Sequence, residues 1–284
     1  MSSFFLRPVI LLTSLLPATV YAAPVAKAIY SFGGSASDGF NPYASLAMNT
    51  SGDFFGITYN GGADGFGTVY KVTAAGKETV LYSFSGGTDG AIPLSTLIFE
   101  NGGKLYGTTQ GGGKHGYGTI FRLAPPSAAG GQWKEKVLYS FAGGSDGYWP
   151  ESGLVADSAG NFYGTTANGG ANGFGTVYEL SPGGVKTILY AFAGYYNGDG
   201  QTPSSGLVRD AVGNLYGMTN SGGKYNQGIS FKLTPTGVET VLNNFGTDGE
   251  QPFGGLIFGK GGALFGTTAW GGANGEGAVV KVTP

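Results

Sequence analysis

From residue 28 onward, short apolar runs alternate with clusters of Gly, Asn, Asp and Pro. Runs such as "GTVYEL" (175–180) and "KTILYAF" (186–192) are built from β-branched and aromatic residues. No apolar i, i+3, i+4 pattern persists beyond the first two dozen residues, so the pattern predicts strands throughout and no helix.

The runs recur in a fixed order. A glycine-interrupted strand appears as "FFGITYNGG", "LYGTTQGGG", "FYGTTANGG", "LYGMTNSGG" and "LFGTTAWGG", with its glycine at Gly56, Gly107, Gly164, Gly217 and Gly266. A second strand follows as "GFGTVYKV", "GYGTIFRL", "GFGTVYEL", "NQGISFKL" and "GEGAVVKV". A third motif, "AIYSF", "VLYSF", "VLYSF", "ILYAF" and "VLNNF", leads to an acidic turn read as "DGFNP", "DGAIP", "DGYWP", "DGQTP" and "DGEQP". Each unit of about 50 residues holds four strand candidates, the size of a propeller blade. In the third unit they start at Ser152, Asn161, Gly175 and Lys186.

The predicted fold is therefore all-β: a five-bladed β-propeller of four-stranded blades filling residues 23–284 as one domain. The first unit opens with only a fourth strand, Ala28 to Phe32, and the last ends on a third, Gly277 to Val282. The N-terminal strand would complete the C-terminal blade and leave no sheet edge open. Glycine serves two purposes here: positive φ in the hairpins, and a close approach or bulge where Gly56 and its equivalents interrupt a strand.

Composition narrows the setting. Glycine supplies 57 of 284 residues, a level that suggests low complexity, but 14% aromatic residues oppose disorder. The net charge of −2 argues against nucleic acid as a partner, since phosphate binding needs clustered cations. Residues 1–22 read as a secretory signal peptide, with Arg7, an apolar run from Val9 to Leu16 and cleavage after Ala22 or Ala23. That run is too short to span a bilayer, and the mature chain offers no membrane span. With no cysteine, stability must come from the core and the ladders rather than from disulfides.

The combination of "LYGTTQGGG", "GYGTIFRL", "VLYSF" and the Asp-Gly-x-x-Pro turn resembles the GloVer-type tandem repeat of bacterial choice-of-anchor extracellular proteins, over essentially the whole mature chain. The resemblance implies export and repeat architecture and no particular reaction. Such proteins often carry a C-terminal sorting segment. This chain stops at "KVTP", which points to a soluble secreted form, extracellular or periplasmic. A monomer is expected.

In a propeller the acidic turns and the glycine loops emerge on one face. Asp38, Asp89, Asp146, Asp199 and Asp248 fit a turn role, each carboxylate accepting nearby N–H groups, better than metal ligation. No metal site and no cofactor are expected. The glycine loops hold variable insets on a constant frame: Tyr59, Asn60, His115, Asn168, Asn172, Tyr225, Trp270 and Asn274, joined near the same face by Trp149 and Tyr195. Rings stack on sugar faces and amides take hydroxyls, so these ten residues form the candidate site for a carbohydrate or surface glycoconjugate, with an extracellular protein as the other partner. A glycan-active hydrolase or lyase is the alternative; it needs paired carboxylates, for which Glu151 and Glu276 are the candidates. A structural envelope or matrix protein is a third reading. One histidine, His115, builds neither a triad nor a metal centre.

Overall fold

The alternating runs form five antiparallel sheets of three to five strands, and two further two-stranded ribbons join Gly39–Phe40 to Asn60–Gly61 and Gly200–Gln201 to Ser221–Gly222. A computed structural model describes residues 26–100, 102–128 and 130–284; the predicted signal peptide lies outside the described residues. Repeat 3 shows the pattern: strands Val155–Ala156, Phe162–Thr166, Thr176–Leu180 and Lys186–Ala191 pair in that order. Repeats 1, 2 and 4 contain the same four, and repeat 5 has three, Ile257–Phe258, Leu264–Thr268 and Ala278–Val282. The first strand of each repeat is much shorter than its apolar run predicts. In repeats 2 to 4 a serine takes over where the ladder stops: Ser95 and Ser205 accept from the backbone N–H of Thr108 and Met218, and Ser152 from Thr165.

The strand glycines mark close approach. A Cβ on Gly164 would lie 2.5 Å from the Tyr178 hydroxyl, and one on Gly107 2.8 Å from Phe121. The bulges fall elsewhere, between the third and fourth strands, at Val69/Tyr70, Ile120/Phe121, Val177/Tyr178 and Ser230/Phe231. Tyr178 is wholly buried and its hydroxyl has no hydrogen-bond partner. The equivalent residues of repeats 2 and 4 are Phe121 and Phe231. Tyr178→Phe should therefore stabilise the fold by about 1 kcal/mol, measured as a raised urea midpoint, because it removes an unsatisfied buried polar group.

Successive sheets pack face to face through four apolar clusters. Phe55, Ile57 and Phe84 meet Leu97, Leu105 and Phe121 between repeats 1 and 2, and equivalent sets join repeats 2–3, 3–4 and 4–5. Phe84 and Phe121 meet edge to face, as do Phe141 and Tyr178, and Phe192 and Phe231.

The predicted fourth strand of the last blade is different. Ala28 to Phe32 form no strand and make no ladder with Ala278–Val282 among the described residues. Among the described residues no sheet is closed by the chain ends. Even so, Phe32 packs on Tyr70 and the Tyr30 hydroxyl donates to Asp38, the contacts a fourth strand makes with the following repeat elsewhere. The faces flanking this junction are open: Leu46 is 52% exposed where its counterpart Leu97 is 4%, and Val279 is 78% exposed.

The acidic turns hold consecutive repeats together. Tyr30, Tyr82, Tyr139 and Tyr190 donate to Asp38, Asp89, Asp146 and Asp199, and each of these carboxylates also accepts a backbone N–H, from Gly33, Ser85, Ala142 and Ala193. Across from three of these aspartates stands a glutamate. Burial, reinforced by the neighbouring Asp38, Asp89 and Asp199 charges, pushes Glu78, Glu135 and Glu239 up to about 7. A carboxyl raised in the folded state stabilises fully below its unfolded pKa and loses that contribution as pH rises through the folded one. Stability in metal-free buffer should thus fall between pH 4.5 and about 7, by on the order of 1 kcal/mol per glutamate once solvent screening is allowed for. Urea midpoints against pH test this; the Glu78→Gln, Glu135→Gln, Glu239→Gln triple variant should flatten that limb.

Candidate functional site

The inner segments of all five repeats converge on one cavity. It is lined by residues 43–45, 94–96, 151–154, 204, 206–207 and 253–257, and has a volume of about 580 Å³. A second lobe of about 680 Å³ shares Tyr43, Leu94, Glu151, Ser204 and Phe253 with it and adds Asn41, Tyr59 and Asn60.

Local backbone geometry sets this rim. In every repeat the Asp-Gly turn is zipped to its own glycine loop: Gly39 with Gly61, Ala91 with Gly111, Tyr148 with Asn168, Gly200 with Gly222 and Glu250 with Trp270. The two motif-rich segments thus lie side by side. The residue before each turn proline is left-handed: Asn41, Ile92, Trp149, Thr202 and Gln251 have φ of 50–62°. For β-branched Ile92 and Thr202 that conformation costs about 1–3 kcal/mol. It is held because the N–H groups of Ile92, Trp149, Thr202 and Gln251 donate to the preceding repeat's glycine loop, at Phe66, Tyr117, Phe174 and Gln227. The carbonyls of Asn41, Trp149, Thr202 and Gln251 accept from the end of their own repeat's second strand, at Tyr59, Ala167, Asn220 and Ala269.

Two of the predicted ligand residues, Tyr59 and Asn60, line the cavity, together with the predicted acid Glu151. The rings of Tyr59 and Tyr43 meet edge to face with centroids 5.7 Å apart. Glu151 accepts a 2.6 Å hydrogen bond from Gln110, and burial outweighs that bond and pushes its carboxyl up. The other predicted residues lie outside the cavity. Trp149 is exposed, its ring edge-on to Tyr148. Asn168 is committed through its backbone to Tyr148, and the Asn172 side chain donates to the Ala191 carbonyl. Tyr225 lines a separate cavity of about 550 Å³ with Asp248 and Glu250. Tyr195 packs on Tyr196, and His115, Trp270 and Asn274 are exposed on their loops.

Glu276 is exposed in the last glycine loop and does not line the cavity with Glu151, which is the only carboxylate there among the described residues. Asn41, Tyr43, Gln110 and Phe253 were not legible as site residues. Asn41 and Tyr43 flank the turn proline and Phe253 follows it, a position relative to the turn that offered the one available signal. Among the described residues, no helix is long and apolar enough to cross a membrane.

Five antiparallel sheets arrayed around a shared cavity, with almost no helix, define an all-β, propeller-like repeat protein. The Gloeobacter/Verrucomicrobia repeat model matches residues 18–211 and 127–284, and the chain belongs to that family. A search of curated proteins finds no match. Among solved structures, the extracellular domain of a two-component system from B. thetaiotaomicron is similar over 84% of this chain and 27% of its own, at 12% identity and a TM-score of 0.55. A protein from Bacteroides uniformis provisionally assigned as a 6-phosphogluconolactonase is similar over 88% of this chain and 74% of its own, at 15% identity and a TM-score of 0.50. At such identities the likeness is one of fold.

Proposed function

We propose that this protein is an exported, monomeric, non-catalytic binding module, that its five sheets close into a ring, and that carbohydrate binds where the zipped turns and loops surround the central cavity. The cavity rim carries the reading: Tyr43, Tyr59 and Phe253 offer apolar ring surface, while Asn41, Asn60 and Glu151 offer hydrogen bonds to hydroxyls. Glu151 stands without a second carboxylate, and two-carboxylate glycoside chemistry needs a pair. The N-terminal segment, with Arg7 ahead of an apolar run from Val9 to Leu16 and small residues at the cleavage position, supports export. The lactonase assignment of the other relative implies no reaction in this chain.

Binding of the chain lacking residues 1–22 to a panel of immobilised polysaccharides tests the site. Tyr59→Ala should weaken binding about tenfold or more, the loss of one stacking ring and its apolar area, whereas Trp270→Ala should leave it unchanged. Absence of binding to every polysaccharide overturns the carbohydrate reading, and sensitivity to Trp270 alone moves the site to the outer loops. Ring closure has its own test. In repeats 1 to 4 the residue equivalent to Ala278 pairs with Ser83, Ser140, Ala191 and Asn244. Ser31 holds that position in the N-terminal segment. In this cysteine-free chain, Ser31→Cys with Ala278→Cys should oxidise to an intramolecular disulfide; a pair that stays reduced means an open arc.

A further inference from the structure

The repeat junctions contain one lysine where their counterparts have glutamate. Glu78, Glu135, Lys186 and Glu239 occupy one register position, opposite Val72, Leu123, Leu180 and Leu233. In repeat 3 the Lys186 side chain is 2% exposed. Its ammonium lies 3.0 Å from Asp146 Oδ1 and donates to the Asp146 backbone carbonyl at 2.7 Å. The rings of Tyr139, Phe141 and Tyr178 surround it, with centroids 5.3–5.6 Å away. At that junction neither Asp146 nor Lys186 has an unpartnered buried polar atom.

The glutamate junctions repeat this frame without the cation. Glu78, Glu135 and Glu239 each bury an Oε1 that has no hydrogen-bond partner. Asp38, only 5% exposed, also buries its Oδ1 unpartnered, although its Oδ2 accepts from Tyr30, Gly33 and Gly34. Asp89 and Asp199 have both oxygens partnered, by Tyr82 and Ser85 and by Tyr190, Ala193 and Gly200. There the unpartnered oxygen is the glutamate's, and the neighbouring aspartate charge raises each glutamate beyond the effect of burial. The built-in ammonium of repeat 3 and the unpartnered oxygens of repeats 1, 2 and 4 are independent signs of the same missing charge.

We propose that the Asp38–Glu78, Asp89–Glu135 and Asp199–Glu239 junctions each bind one calcium-class divalent cation at the place Lys186 Nζ takes in repeat 3. A +2 ion neutralises an Asp–Glu pair as the ammonium and one fewer carboxylate neutralise repeat 3. The donors are all oxygen, which suits a hard cation of flexible coordination. No group of three or more acidic or histidine side chains converges among the described residues. The two carboxylates and the aspartate carbonyl therefore leave the remaining positions to water, and the site is one of modest affinity.

Calorimetric titration of chelator-treated full chain with Ca²⁺ at about pH 8, above the glutamate range, reads the stoichiometry, and the thermal midpoint with and without Ca²⁺ reads the coupling to folding. Three equivalents and a raised midpoint are expected. Glu239→Lys should remove one equivalent. Glu239→Gln should do so too and covers the case in which the lysine variant fails to fold. Lys186→Glu should add a fourth, a gain that a purely structural role for lysine does not produce. No heat and no midpoint shift in the wild-type chain overturns the proposal and leaves a shared proton as the neutralising charge; unchanged stoichiometry in all three variants places any bound ion elsewhere.

Discussion

Lys186→Met should destabilise the protein by about 3 kcal/mol, read from urea unfolding at neutral pH, because breaking a buried ion pair leaves its partner's charge uncompensated. Methionine fills a similar volume, so the loss is electrostatic and not a cavity effect. Burial alone pushes Asp146 up, yet the Ala142 N–H, the Tyr139 hydroxyl and Lys186 together hold its carboxyl below the ordinary value. Burial also pulls Lys186 down, against the opposing pull of Asp146. The aspartate contribution is present above its unfolded pKa and disappears as pH falls through the lower folded one. The destabilisation should therefore shrink in strong acid. A loss below about 1 kcal/mol at neutral pH would show that the pair behaves like an exposed one.

Gly175→Ala should cost about 3 kcal/mol or more, by two mechanisms that do not depend on each other. Its φ is +99°, and an added Cβ would lie 2.5 Å from the Thr166 carbonyl oxygen and against the ring of Pro203. Neither neighbour can move freely, since Thr166 ends a central strand and Pro203 begins the inner segment of the next repeat. Gly173→Ala is the control: its φ is also positive, at +86°, but no atom lies within 4 Å of the added carbon. It should lose only the conformational part, about 1 kcal/mol. Equal losses at both positions would mean that the close approach carries no energy.

These two predictions show where sequence reading stops. Glycine at Gly67, Gly118, Gly175, Gly228 and Gly277 is visible as a repeated letter, but its cause, contact with the proline of the next repeat at four of them, is a contact between units. The Asp-Gly turns were legible with their carboxylates accepting backbone N–H groups, because that bonding is local. The tyrosine that donates to each of the first four aspartates lies seven to nine residues earlier, in the preceding outer strand for Tyr82, Tyr139 and Tyr190 and in the N-terminal segment for Tyr30. Its constancy in "IYSF", "LYSF" and "LYAF" was a signal that could have paired the two. Lys186 looked like any polar residue at a strand start. Its burial arises only because the strand end is covered by the preceding repeat. The exposed aromatics singled out as a site mostly remain separate, since periodicity places a residue within its repeat but not at a radius from the cavity.

By itself the sequence determined the all-β class, the repeat, the strand order within each unit and the placing of acidic turn and glycine loop on one face. All of these follow from local conformational preference and a side-chain period of two. Only the tertiary structure decided which residues face the shared cavity, that Glu151 stands there without a second acid, and that Ala28 to Phe32 touch the first repeat without forming a ladder with the last. Those outcomes depend on the angle and distance between whole sheets. Such quantities come from the summed packing of many side chains across repeats, and no single stretch of chain encodes them.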